Sequence, residues 1–134
     1  MALAQIQVLA EAIGYPETVP EQADSAVLRV DGEAVRVERR GTQLVLSQIL
    51  DRAEEDVVDL AALAMGRLLR DEVTLAWDAR EGALVLWQAV APQAGAARLR
   101  EQFEAFMNVC DWWRERATTL HAPPPSFPEM VIHP

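Results

Sequence analysis

The chain has no lysine, a single cysteine, Cys110, and two histidines, His121 and His133, both close to its C-terminal end. Each shortage removes a class of chemistry. One cysteine cannot close an internal disulfide or supply a Cys-rich metal site. Histidines in a proline-rich stretch are not held by a rigid scaffold, so a Ser/His/Asp arrangement has no positioned base. There is no HExxH, CxxC or EF-hand spacing, and no GxGxxG or phosphate loop. No apolar run approaches the ~20 residues needed to span a bilayer, and MALAQIQVLAEAIG lacks the basic n-region of a signal peptide. The expectation is a cytoplasmic protein without catalysis, cofactor or metal.

Positive charge is also scarce. The 12 basic residues, all Arg, face 21 acidic ones and leave a net charge of −9. The all-Arg usage reads as a base-composition bias of the source genome. Such acidity disfavours nucleic acid, whose phosphates need a basic surface, and docking on anionic membranes. It suits solubility, or holding a partner with a basic or neutral segment. At 134 residues one domain is the default, and an apolar fraction of 51% suffices for a core.

The order of elements is read from periodicity and punctuation. Ala2–Ile13 predicts a helix with Leu3, Ile6, Ala10 and Ile13 on one stripe, stopped by Gly14 and Pro16. Three strands of an antiparallel meander follow. Ala26, Leu28 and Val30 alternate, Asp31-Gly32 marks a tight hairpin, Val35 and Val37 alternate with Arg36 and Glu38, and Arg40-Gly41 turns the chain into Leu44, Val45 and Leu46. Asp51 is a candidate cap for a middle helix, with Glu54, Glu55 and Asp56 at its positive end and Arg67 and Arg70 at its negative end.

That middle helix is apolar on two faces, one of Val57, Leu60, Ala64 and Leu68 and another of Val58, Ala62, Met65 and Leu69, which predicts burial on two sides. One side can rest on the sheet of the same chain and the other suggests a subunit interface. Gly66 is open to two readings, close approach between helices or a tolerated helix glycine. The stretch VTLAWDAREGALVLW, Val73–Trp87, reads as a hairpin apolar on both faces and therefore wanting cover on both. In a last helix, about Ala96–Ala117, Leu99, Phe103, Phe106, Cys110, Trp113 and Ala117 form one stripe. Cys110 on that stripe reads as a small core residue. The expected division is one domain over 1–120 and a flexible or extended Pro-rich tail, HAPPPSFPEMVIHP, over 121–134.

Carboxylates are abundant but explained by helix starts and wet strand faces. Trp77 and Trp87 are expected to face each other across the late hairpin, as cross-strand packing or as a stacking surface. Trp112 lies off the stripe that buries Trp113 and could anchor a partner or pack against the tail.

The order helix, three strands, helix, two strands, helix in an acidic chain resembles the class I type III secretion chaperones. The late hairpin TLAWDAREGALVLWQ and the aromatic closing helix FEAFMNVCDWWRERA carry the local likeness, which covers about residues 2–117. The resemblance implies an α+β homodimer, an antiparallel sheet flanked by helices, that binds the N-terminal chaperone-binding segment of a secreted effector. It implies a dimer contact at Val58, Ala62, Met65, Leu69, Val73 and Leu75, and effector-receiving patches at Leu3, Ile6, Val35, Val37, Leu44 and Leu46. The periodicity agrees on the doubly apolar middle helix. It is neutral on the patches, because a Leu3/Ile6 stripe would look the same if it were simply core. Two alternatives stand beside this reading. One is a regulatory protein of the same fold that sequesters a transcriptional activator or another chaperone. The other is a small-molecule-binding α+β protein with a pocket near Trp77, Trp87 and Trp112.

Overall fold

The computed structural model describes residues 5–17, 19, 24–51, 60–62, 64 and 72–121. Helix α1 (Gln5–Ala12) leads into strands β1 (Ser25–Val30), β2 (Glu33–Arg40) and β3 (Gln43–Asp51), then β4 (Thr74–Asp78), β5 (Ala83–Val90), a 3₁₀ turn (Pro92–Ala94) and the long helix α2 (Ala96–His121). Leu60–Ala62 and Ala64, in the predicted middle helix, are helical. All five strands form one antiparallel sheet in the order β1-β2-β3-β5-β4. The connection through the middle segment thus places β5 against β3 and leaves β4 at the edge.

Local chemistry fixes the turns. Gly14 takes φ +71 beyond α1, where its N–H donates to the Glu11 carbonyl (3.1 Å) and that of Tyr15 to the Ala10 carbonyl (2.8 Å). This is the two-bond helix stop that a glycine after the last turn makes possible. Asp31 and Gly32 both take positive φ, 52 and 80 degrees, which gives the twist-matched β1–β2 hairpin expected of Asp-Gly. In the β4–β5 turn Asp78 Oδ1 accepts from the backbone N–H of Arg80 (2.9 Å) and of Glu81 (3.4 Å).

Strand parity assigns the two sheet faces. Leu28, Val35, Val37, Leu44, Leu46, Leu84, Leu86 and Val90 share the inner face and are buried. α1 and α2 pack on this side, touching each other and, between them, β2, β3 and β5. The predicted α2 stripe is the helix's buried face: Leu99, Phe103, Phe106, Cys110, Trp113 and Ala117 are all buried. Leu60 joins the same core and Ala64 packs against it.

One expectation of the sequence is corrected here and another falls outside the described residues. Asp51, expected as a helix cap, ends β3 and pairs with Leu84 beyond a bulge at Ile49/Asp51, an extended position that an N-cap also takes; residues 52–59, where the helix was expected to begin, lie outside the described residues. Trp77 and Trp87 do not face each other: Trp77 is opposite Leu84, Trp87 is opposite Thr74, and the two indoles stand on opposite faces. The inner face also holds two buried amides, Gln48 and Gln88. Gln48 Nε2 donates to the Ala34 carbonyl (3.3 Å) while its Oε1 accepts from Arg114, and Gln88 Nε2 donates to Glu72 (3.2 Å). Those bonds offset the cost of burying amides.

Candidate partner-binding surfaces

The residues expected to receive an effector are mostly core. Ile6 is 2% exposed, and Val35, Val37, Leu44 and Leu46 are 0% exposed, sealed between the sheet and the helices. Leu3 lies outside the described residues. A docking segment could touch these side chains only by parting α1 and α2 from the sheet. The surface consequence of their alternation lies on the other side of the same strands.

That outer face carries Val27, Val45, Ile49, Val85 and Trp87. Ile49 is paired with Val85, and Val27, Arg36, Ser47 and Trp87 form one row across β1, β2, β3 and β5. Val27 is 54% exposed and Ile49 38%, with Val45, Val85 and Trp87 half-buried. No described element covers them. The β4–β5 turn leans over this face, because Glu81 reaches Arg36 of β2 at 3.0 Å, across both β3 and β5. The result is a trough of about 330 Å³ with an apolar floor and charged ends. A contiguous apolar patch rimmed by charge is the usual mark of a protein-docking surface.

Of the expected dimer residues, Ala62 is exposed, while Val73 and Leu75 are half-buried against the core. Val58, Met65 and Leu69 lie outside the described residues. Leu60 and Ala64 point into the core while Ala62 points out, which matches the division of the middle helix into two faces. β4 is an edge strand, and Trp77, 41% exposed, sits on it beside Leu75 on the inner-face side.

The three indoles do not converge. Trp87 lines the outer trough, Trp77 lies at the β4 edge, and Trp112 is on α2, edge-on to Trp113 (5.3 Å between ring centres) with the Arg116 guanidinium 4.4 Å above it. The pocket expected around them is therefore not built by the fold. Burial pushes the Cys110 thiol up to about 12, which leaves it protonated at neutral pH. Among the described residues no three His, Cys, Asp or Glu side chains come together as a metal-binding group.

A second, larger groove of about 1340 Å³ lies on the helical side, bounded by the end of α1, the β1–β2 turn and a stripe of α2 from Arg100 to Thr118. Sequence reasoning missed it. Its α2 wall repeats at helical spacing, but its other walls come from residues far away in the chain.

The sequence matches the model of the Tir chaperone protein (CesT) family over residues 5–114, nearly the whole described chain. Against curated proteins the comparison finds no significant match. Solved structures of similar fold include the HopA1–SchA chaperone–effector complex (TM-score 0.66, 18% identity, covering 85% of this chain and 95% of that one). The ExoT–SpcS complex from Pseudomonas aeruginosa is similar (0.62, 19%, 81% and 92%), as is the Yersinia pestis type III secretion chaperone SycH in complex with a fragment of YscM2 (0.59, 11%, 84% and 99%). The five-stranded antiparallel sheet with helices on one face is thus a known architecture, and the chain belongs to the Tir chaperone protein (CesT) family.

Proposed function

We propose that this protein is a cytoplasmic, homodimeric type III secretion chaperone that binds the N-terminal chaperone-binding segment of a secreted effector and keeps it soluble and export-competent, without catalysis. The match to a chaperone family over residues 5–114 carries this reading. The HopA1–SchA structure is described as a chaperone–effector complex, which lends the partner class. The acidic chain and the outer face of the sheet, which no described element covers, support it physically. A segment kept unfolded offers apolar side chains that need cover, and Val27, Val45, Ile49, Val85 and Trp87 offer that cover without opening the core.

The effector segment lies along the outer face, with one or more of its apolar side chains in the trough beside Trp87. The dimer forms through the outward face of the middle helix (Val58, Ala62, Met65, Leu69) together with Val73 and Leu75 at the β4 edge. Affinity capture of the tagged protein from its native cells, with the bound proteins identified by mass spectrometry, tests the reading. Recovery of one larger protein held through a protease-sensitive segment near its N-terminus supports it. Recovery of a transcription factor instead moves the role to regulation, and recovery of nothing overturns the partner class.

A further inference from the structure

We propose that the groove between α1, the β1–β2 turn and α2 is the docking site of the protein's own C-terminal segment, residues 122–134. The groove has an apolar floor of Ile13, Tyr15, Val30, Phe103 and Met107 between rims that carry both charge signs. At about 1340 Å³ it exceeds the ~300–1,000 Å³ of small-molecule pockets and has room for a polypeptide. Its wall on α2 runs to Thr118, three residues from the helix end at His121, so the chain leaves the helix beside the groove mouth.

Reach and chemistry both match. From His121 back to Met107 is about 21 Å along the helix, and back to Phe103 about 27 Å, at ~1.5 Å per residue. Pro123–Pro125 favour an extended left-handed helix of ~3.1 Å per residue, a rise at which the chain from His121 spans about 19 Å to Phe127 and about 28 Å to Met130. With about four residues spent in the reversal, the remaining segment to residue 134 still spans about 28 Å, enough to run along the groove from Thr118 past Met107 toward Phe103.

Such a helix leaves its carbonyls unpaired and docks on aromatic-lined grooves whose polar rims donate hydrogen bonds. Tyr15 supplies an aromatic wall, and Asn108 and Arg100 supply rim donors. Residues 122–134 carry one acidic side chain, Glu129, so a chain of net charge −9 repels this segment little. The tether also gives the segment an effective concentration of ~mM, enough to half-fill a groove that binds it with a Kd of about 1 mM. A free segment of equal affinity would need the same concentration in solution.

The test uses the full chain with Ser126→Cys carrying a nitroxide; Cys110 is fully buried and stays unlabelled. In the ¹⁵N-labelled protein the amides of Ile13–Tyr15 and Phe103–Asn108 are expected to lose signal selectively, and to regain it when Phe127→Asp is added. Three results overturn the proposal. One is no selective loss. Another is loss confined to the sheet strands Val45–Ile49 and Val85–Trp87. The third is groove broadening only when the nitroxide is on one copy and ¹⁵N on another, which would make the occupant a second molecule's tail.

Discussion

Trp77 and Trp87, ten residues apart on one hairpin, stand on opposite faces of the sheet, Trp77 opposite Leu84 and Trp87 opposite Thr74. The two indoles therefore serve different surfaces. Trp87→Ala is expected to weaken binding of an effector segment at least tenfold, about 1.4 kcal/mol, and to leave the oligomeric state alone. Trp77→Ala, on the β4 edge beside Leu75, is expected to weaken self-association and spare segment binding. Titration and light scattering on both variants separate the effects, and an exchange of the two phenotypes would reverse the assignment of surfaces.

The middle helix makes a second prediction. Ala62 is exposed where Leu60 is buried, and the sequence spacing assigns Met65, which lies outside the described residues, to the Ala62 face. Met65→Glu places a charge in an apolar contact and is expected to give a folded monomer at micromolar concentration. Arg80→Glu, in the exposed β4–β5 turn, is expected to leave the dimer intact. Sedimentation of both variants decides it, and a Met65→Glu dimer of normal stability would refute the interface.

Phe106 is 0% exposed in the middle of the α2 stripe. Phe106→Ala removes a large side chain from a packed core and is expected to cost about 3–5 kcal/mol. Against a total of roughly 5–15 kcal/mol for a domain, that leaves a marginal fold. Denaturant titration should show a lower midpoint with an unchanged slope, and a loss below about 1 kcal/mol would mean that α2 is not packed as described.

Cys110 links stability to high pH. Burial raises its pKa from the ordinary 9.0 to about 12, with Arg114 opposing the rise and Asp111 and Glu33 adding to it. Below pH 9 folded and unfolded chains both hold the proton, and the group adds no pH dependence. Between pH 9 and 12 only the unfolded chain releases it, so stability falls by up to about 1.4 kcal/mol per pH unit. Comparing unfolding at pH 8.5 and 10.5 in wild type and Cys110→Ala should show a steeper loss in wild type. Equal losses would contradict the buried, protonated thiol.

Most of the fold was legible because it is written in local signals. Asp31-Gly32, Gly14 and the α2 stripe each determine their own geometry, with no need of distant residues. The effector patch implied by the resemblance falls on buried residues, and alternation could not have shown this, because it identifies two faces without saying which one the helices cover. Val35, Val37, Leu44 and Leu46 read equally well as a docking face or a core, and α1 and α2 decide it by packing on them. The indole pair was misread for a related reason: ten residues separate Trp77 from Trp87, but Trp77 pairs with Leu84, and three further residues reverse the face. Gln48 and Gln88 follow the inner-face parity, yet their burial depends on Arg114 and Glu72, partners remote in the chain. The groove along α2 needed three separate segments brought together.

The central claim is that the protein binds a segment of its partner, not a folded domain. Calorimetric titration of the captured partner's N-terminal segment, made as an isolated peptide, tests it most directly. The account predicts saturable binding with a negative heat-capacity change from apolar burial, lost in Trp87→Asp. Binding that requires the partner's folded remainder, with no heat from the peptide alone, would contradict it.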